Sequence, residues 1–397
     1  MIETKSTDTA GHRLALLALA IGAFGIGTSE FSSMGVLQLF ARDLAIDIPH
    51  ATEAITAYAI GVVAGAPLLT LAAARVNRRL LLILLMGILV AGNLLSSFAD
   101  SLGLLVFGRF VSGLPQGAYF GAGAVVATYI VGPARAGKAF ALVVSGMTVA
   151  TIVGAPLGTL VGQHLGWRTS YAAFAAYNLL ALVAMMLWLP KTAALDGNPI
   201  LRELAGLRRW NVWAMMLVAA LCVASTFAVY TFVGPFVTQV AGLSPGWVPV
   251  GLGLFGLGMA VGNPLGGRLA DRYEFRGMVI GFGATLSVLC VMALFGSSPV
   301  VLMTTLFLVG ASLMMAVPTI PVRMTEMAPE APTLMGAMNM AAFNVANALG
   351  AAAGGLTIGA GLGLPSAIWA GFSLTGLGLI VFALSFARLR TPRTLAV

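Results

Sequence analysis

Some twelve apolar stretches, each about 20 residues or longer, follow one another almost from end to end of this chain. A run of that length is what a helix needs to cross the hydrocarbon core of a bilayer. Of the 397 residues, 59% are apolar and only 9% charged, whereas a soluble domain carries about 25% charged residues. A chain so poor in charge cannot cover a water-facing surface. In lipid the backbone must satisfy its own hydrogen bonds, as helix or as closed barrel. Barrel strands alternate in polarity over about 10 residues, and segments 14–27 and 80–95 show no alternation. The chain is therefore predicted to be an all-α membrane protein. Its helices fall at 14–39, 51–73, 80–99, 102–131, 136–162, 169–189, 211–240, 246–269, 277–297, 300–321, 333–361 and 365–387.

The basic residues orient these helices. Lys5, Arg13, Arg75, Arg78, Arg79, Arg135 and Lys138 fall at the N-terminus and in the second and fourth gaps. Lys191, Arg202, Arg208, Arg209, Arg268, Arg272, Arg276 and Arg323 fall in the sixth, eighth and tenth gaps, and Arg388, Arg390 and Arg393 close the chain. The odd gaps hold Arg42 and Arg168, and Arg109 lies within a helix. By the positive-inside rule both termini are expected in the cytoplasm of a bacterial cell, with the chain in its inner membrane. The net charge of +8 follows from the same bias. Scattered over short loops, it does not form a nucleic-acid patch. Residues 1–12 are polar and the apolar run behind them is too long for a signal peptide, so it is expected to be the first span. Cys222 and Cys290 lie in the middle of predicted helices, and His12, His50 and His164 are scattered, so neither a disulfide nor a metal site is expected.

The chain also repeats itself. Ala66-Pro67-Leu68 through Arg75 follows the second helix, and Asn263-Pro264-Leu265 through Arg272 follows the eighth, with an offset of 197 residues from Pro67 to Pro264. A weaker echo joins Gly154–Gly158 with Gly350–Gly354 at an offset of 196. Both point to a duplicated six-helix unit, with an even number of spans keeping the two copies in one orientation. The expected organisation is a bundle over 1–190, a cytoplasmic linker over 191–209 and a second bundle over 210–397.

Two parallel six-helix repeats resemble the major facilitator superfamily. Pro264–Arg276 is similar to its loop motif between the second and third helices of a half, with Gly267, Asp271, Arg272 and Arg276 in register, whereas in the first copy Ala74 stands where the motif has its acid. Gly108–Gly113 resembles the fourth-helix arginine motif, with Ser112 in place of its glutamine. Gly146–Gly158 resembles the fifth-helix Gly/Pro motif of the proton-coupled drug exporters. Within that branch, Gly27-Thr28-Ser29-Glu30-Phe31, Tyr58–Val63, Gly65–Leu68, Gly108–Gly123, Ser145–Ala150 and Gly166-Trp167-Arg168 resemble the sugar-efflux and arabinose-efflux permeases. The resemblance implies a non-enzymatic exporter that exchanges protons for a small organic solute such as a sugar, a nucleoside or an amphipathic drug. No cofactor is implied, and a monomer is expected.

Within this frame Glu30 is the most telling residue. It lies nine residues from the distal end of the first predicted helix, about 13 Å deep at 1.5 Å per residue. A carboxylate there is costly and by default functional. Arg109 is seven residues into the fourth helix, about 10 Å deep. The first and fourth helices of a facilitator half both line its cavity, so the resemblance implies that Glu30 and Arg109 interact, directly or through water, in proton coupling. Arg109 could instead only tie helices together. Gln116 and Phe120 share its helix face at helical spacing. On the eleventh helix, Asn339, Phe343 and Asn347 are spaced by four, with Asn344 beside them. Amides of this kind bond hydroxyl-rich solutes in both directions, or hold helices together. Tyr58, Tyr119, Tyr230 and Gln239 are further substrate candidates. Tyr230 sits 200 residues from Glu30, so the second half is expected to lack an acid there. Gly154 and Pro156 favour a kink used in opening. Arg75, Arg268, Asp271 and Arg272 are expected to act as a conformational latch.

Two motif matches do not carry chemistry. Gly132–Lys138 has the front of a phosphate loop, but Ala139 replaces the Ser/Thr and no strand precedes it. Gly251–Gly256 spells a dinucleotide fingerprint inside an apolar span. The alternatives considered are an importer or uniporter on the same fold, a membrane enzyme, for which no nucleophile–base cluster is visible, and a non-transporting sensor.

Overall fold

The structure, a computed structural model, describes residues 9–73, 75–132, 136–195, 208–329 and 331–386. Lys5, Ala74, Arg135, Arg202, Arg388, Arg390 and Arg393 lie outside them, as does most of the predicted linker. The first span is Thr9–Gly35, and Leu37–Asp43 carries its helix on past the span. A single turn, Ile48–Ala51, leads into the second span, Glu53–Ala72, and the third is Arg78–Ser97. The fourth consists of Leu102–Gly113 and Gln116–Val131. The fifth consists of Ala136–Val149, a wide π turn over Ala150–Gly154, and Ala155–Leu165, and the sixth is Trp167–Trp188. The seventh is Trp210–Tyr230 with Val233–Pro235 and a π turn over Phe236–Val240. Trp247–Tyr273 and Phe275–Phe295 form the eighth and ninth spans, and Pro299–Ala316 with Thr319–Met327 forms the tenth. The eleventh is Pro332–Thr357 with a π turn over Ile358–Leu362, and the twelfth is Ser366–Phe386. Among the described residues, eleven helical units are long and apolar enough to cross a bilayer; the fourth span, split at Leu114–Pro115, is not among them.

The apolar pattern predicts continuous helices, and the structure interrupts several of them at proline. Proline has no N–H to give the carbonyl four residues back, and its ring crowds that carbonyl. The breaks at Leu114–Pro115 and Val317–Pro318, and the π turn ahead of Pro156, fall where this predicts. The seventh span breaks at Thr231–Phe232, just before Pro235. The first helix also runs four residues past its predicted end, to Asp43.

Close backbone contacts make the duplication physical. A side chain at Gly61 would collide with the Phe110 carbonyl, at Gly65 with that of Leu114, and at Gly113 with that of Tyr58. In the second half Gly258 meets the Phe307 carbonyl, Gly262 that of Ala311, and Gly310 that of Phe255. Each of these three glycines lies 197 residues beyond its counterpart, the same offset as the two prolines. The second and fourth spans therefore pack as the eighth and tenth do, backbone against backbone. The weaker echo needs correcting. Gly146 abuts the Ala20 carbonyl in the first half, and Gly350 abuts that of Ala224 in the second. Gly350 is thus the counterpart of Gly146, at an offset of 204, not of Gly154 at 196. By that offset the position matching Glu30 is Gly234 rather than Tyr230.

The end of the molecule that carries Arg75, Arg78, Arg79, Arg272 and Arg276 is here called the basic end, and the other the distal end. One apolar core joins distal residues of the first half, Phe31, Met34, Phe40 and Trp167, to second-half residues including Tyr230, Phe232 and Leu252. The part of the first half nearer the basic end has a core of its own, with Leu19, Ile26, Leu82, Val126 and Met185. The halves are therefore joined most extensively toward the distal end. Gln38 donates to Thr238 (3.1 Å) and Gln163 to the Pro245 carbonyl (2.8 Å) across that seam. Beyond the first span, at the same end, Asp43 accepts from the Trp167 indole (3.1 Å) and from Arg168, while Arg168 Nε donates to the Ala99 carbonyl (2.8 Å). These bonds hold the Asp43 carboxyl below the usual carboxylate range, the Arg168 bond most of all. The clamp is therefore intact above the ordinary carboxylate pKa and is lost only as pH falls through that lowered value. It also explains an arginine in an otherwise poorly basic gap.

The charge distribution predicts that the basic end faces the cytoplasm. Single cysteines at Ala194 and Ser101, in a chain otherwise free of cysteine, test this in intact cells. An impermeant thiol reagent is expected to label position 101 and spare position 194; the reverse pattern inverts the topology.

Candidate functional site

Midway along the spans the structure assembles a polar network inside an apolar bundle. Among the described residues, Glu30 and Arg109 are the charged side chains that are almost wholly buried, 4% and 1% exposed. Among the described residues Glu30 makes no ion pair. Its Oε2 accepts from Gln116 Nε2 at 3.0 Å, and its Oε1 accepts from Asn347 Nδ2 at 3.3 Å. The Gln116 carbonyl oxygen in turn accepts from the Tyr58 hydroxyl at 2.8 Å. The carboxylate is thus held by one amide from each half. Because Asn347 belongs to the eleventh span, this bond is also a direct polar tie between the halves.

Arg109 is held differently. Its guanidinium carbon lies 4.4 Å from the centre of the Tyr58 ring and 5.4 Å from that of Tyr171. Nη1 donates to Ser29 Oγ at 3.4 Å, and Nε has no partner among the described residues. Ser29 donates to Asn93 Oδ1 at 2.7 Å, and Tyr171 donates to Ser33 Oγ at 3.0 Å. A buried cation over an aromatic face gains about 2 kcal/mol or more when desolvated. That is less than the several kcal/mol that desolvating an ion costs. The nearby carboxylate therefore matters to Arg109 even without contact. The two are linked through a series of contacts: Arg109 on the Tyr58 ring, Tyr58 to Gln116, Gln116 to Glu30. Ser29, next to Glu30 in the chain, provides a second link.

Of the interaction expected between Glu30 and Arg109, directly or through water, the direct contact is not formed. Arg109 remains seven residues from Leu102, about 10 Å. Glu30 meets Gln116, seven residues beyond Arg109 in the fourth span, while the Arg109 guanidinium turns to the Tyr58 and Tyr171 rings and to Ser29.

The other predicted residues fall into three groups. Tyr58, Gln116 and Asn347 are in the network. Asn339, Asn344 and Tyr230 are buried, and Asn339 Oδ1, Asn344 Oδ1, Asn347 Oδ1 and Tyr230 Oη have no partner among the described residues. Tyr230 packs on Phe31 (5.8 Å, edge to face) and Phe255 (4.4 Å). Phe343 is half-buried. Tyr119, stacked edge-on against Phe120 (5.7 Å), donates to the Leu19 carbonyl at 2.7 Å, so its hydroxyl is engaged in joining the first and fourth spans. Gln239 is exposed, away from the site; Gln38 and Thr238 make the polar contact across the seam instead.

The Gly154 carbonyl accepts from Ser32 Oγ at 3.3 Å at the end of the π turn. There Gly256 of the eighth span lies against the Thr151–Ile152 backbone, and Gly253 beside Pro156. The expected latch is not formed. Arg75, Arg268, Asp271 and Arg272 are exposed and make no ion pair among the described residues. Arg272 instead lies over the Tyr273 ring (5.6 Å). Arg323 makes the tie at this end, pairing with Glu326 (2.5 Å) and donating to the Ala270 carbonyl (3.1 Å). Ser29, Ser33, Asn93 and Tyr171 do not stand out in the sequence as site residues. Ser29 sits inside the Gly27–Phe31 segment, whereas Asn93 and Tyr171 come from the third and sixth spans with no periodic signal.

A family model for the Major Facilitator Superfamily matches residues 19–351 and 252–396. The chain is 40% identical over 383 residues to the "Inner membrane transport protein YdhP" of Escherichia coli (strain K12), covering 96% of this chain and 98% of that one. It is 34% identical over 372 residues to the "Chloramphenicol resistance protein" of Streptomyces lividans, covering 93% and 95%. It is 33% identical over 352 residues to the "Putative transporter AraJ" of Escherichia coli (strain K12), covering 87% and 88%. The chain belongs to the major facilitator superfamily, whose members are membrane transporters. Its fold is similar to that of a bacterial homologue of the human lysosomal transporter Spinster in an inward-facing, unoccupied conformation, with a TM-score of 0.74 at 14% identity over 97% of this chain and 100% of that one.

The network predicts energetic coupling along the chain of contacts. Tyr58→Phe leaves the Gln116 carbonyl oxygen unpaired and is expected to cost about 1–3 kcal/mol. Combined with Gln116→Leu, the loss should fall short of the sum of the single losses by about 0.5–3 kcal/mol. Unfolding of the four variants in detergent checks this; strict additivity would mean that the bond contributes nothing.

Proposed function

We propose that this chain is a proton-coupled exporter of a small organic solute, working by alternating access in the bacterial inner membrane, with both termini and the 191–209 linker in the cytoplasm. The observation that carries the proposal is Glu30: a carboxylate buried without a cation in contact, bonded to Gln116 in the first bundle (1–190) and to Asn347 in the second (210–397). A carboxylate accepts strong, charge-assisted hydrogen bonds from two amides, and a protonated carboxyl accepts weaker ones. Protonation therefore loosens the bond that joins the bundles, and deprotonation tightens it. A proton taken up at one side biases the rocking equilibrium, because it interacts differently with the two states.

In this scheme Arg109 is a positioning residue that stabilises the charged form of Glu30 through Tyr58 and Gln116. Tyr230, Asn339, Phe343, Asn344 and Asn347 hold the solute, with Phe120 and Tyr119 on the facing wall. Proline-driven wide turns supply flexibility where the bundles meet, at Gly154 and Pro156 against Gly253 and Gly256. Arg75, Arg268, Asp271 and Arg272 are free to pair in another state of the cycle. Export is favoured over import by the likeness to a relative named for chloramphenicol resistance.

Glu30→Gln keeps an acceptor and removes the titration. It is expected to abolish solute flux driven by a pH gradient while retaining exchange of solute for solute. The measurement uses proteoliposomes with labelled chloramphenicol, uridine and L-arabinose as probes. Full pH-driven flux in the variant would leave Glu30 a structural acid.

A further inference from the structure

The charge balance of the buried network and the orientation of its amides restrict what can occupy the site. Among the described residues, the buried zone contains one carboxylate, Glu30, and one guanidinium, Arg109. The other titratable side chains around Glu30 are the phenols of Tyr58 and Tyr230, from the second and seventh spans; Gln116 and Asn347 are neutral. With Glu30 ionised the zone is neutral overall, and with Glu30 protonated it carries a single positive charge. A further uncompensated charge in such a place is costly.

Neither sign of solute charge finds a ready partner. An anion would have to reach Arg109, whose guanidinium is flanked by the Tyr58 and Tyr171 rings and held by Ser29. A cation would have to reach Glu30, both of whose oxygens already accept from amides. Apart from Arg109 Nε, which the Tyr58 and Tyr171 rings flank, the unpartnered buried atoms beside Glu30 are neutral, and in Asn344 and Asn347 their kind is determined. Asn344 Nδ2 donates to the Met340 carbonyl at 3.0 Å and Asn347 Nδ2 to Glu30, so in each the unpartnered buried atom is the amide oxygen. Asn339 Oδ1 and Tyr230 Oη are likewise without a partner among the described residues. Amide oxygens accept and do not donate.

We infer that the transported solute is uncharged and presents N–H or O–H donors to the amide oxygens of the eleventh span, so that each exchange for the Glu30 proton moves one positive charge across the membrane. This rests on the proton-exchange reading above and adds to it the class of solute and the electrical signature.

The full chain in proteoliposomes, at equal pH on both sides, gives the test. A potassium gradient with valinomycin sets the interior positive by about 100 mV, and uptake of chloramphenicol, uridine and L-arabinose is followed to equilibrium. One net charge in a field of that size corresponds to about 50-fold accumulation, whichever way the protein is inserted. Accumulation of that order by an uncharged probe is the expected result. Ethidium and uridine monophosphate are the charged comparators. A 1:1 exchange of proton for cation responds to pH and not to potential, and an exchange of proton for anion responds as two charges. Either pattern as the main activity overturns the inference.

Loss of the potential response in Glu30→Gln is expected together with loss of the pH response. If Glu30→Gln retains both, it is the assignment of the proton to Glu30 that fails. If the pH response depends on Glu30 but the potential has no effect, it is the uncharged solute that fails. Asn344→Leu removes one of the proposed acceptors and is expected to raise the half-saturating concentration of the probe about tenfold, with the response to potential unchanged. An unchanged half-saturation removes that oxygen from the site.

Discussion

Two opposite charges share one buried region of this protein without touching. Taking an isolated ion out of water costs several kcal/mol even after relaxation, and each of these ions is only partly repaid by its immediate neighbours. Arg109 has two aromatic faces and a serine hydroxyl. Glu30 has two amide donors. Much of the surrounding packing serves this arrangement. Glycines let the second and fourth spans close until Tyr58 reaches Gln116. Pro115 breaks the fourth span next to Gln116, so the arginine and glutamine segments are separate helices.

Leaving the charges apart has a consequence for the proposed cycle. A direct ion pair in a low-dielectric setting would bind the two groups strongly to each other and resist protonation. A carboxylate held by amides is bonded well enough to persist and can still take up a proton without leaving an adjacent cation bare. The amide from the eleventh span makes that protonation a matter for both halves. The tie between the bundles and the titrating group are then the same bond, the simplest way for a proton to bias a rocking motion.

The duplication shows what was kept and what diverged. The glycine contacts recur at a constant offset of 197 residues in the second, fourth, eighth and tenth spans. They concern backbone approach, which both halves need. The buried charged groups do not recur. Gly234 stands at the position equivalent to Glu30, and Leu306, 197 residues beyond Arg109, packs in the apolar core. One half carries the buried ions, and the other contributes amides and an aromatic face.

The membrane class, the number of spans, their alternation and the two-fold repeat were legible in the sequence, because hydrocarbon imposes a length and a polarity on every segment that crosses it. Glu30 and Arg109 stood out for the same reason: charge inside an apolar run is expensive wherever the run ends up. What sequence could not supply was partnership. Glu30 meets Gln116 rather than Arg109, which turns to Tyr58, Tyr171 and Ser29. The residues that hold Arg109, Asn93 through Ser29 and Tyr171, come from helices far apart in the chain, where no spacing rule applies. The prolines were visible, but whether each produces a kink, a break or a wide turn depends on the neighbouring helix. Tertiary packing decided these points, because a hydrogen bond inside a membrane requires alignment to within an ångström and a one-dimensional pattern specifies position only to within a turn.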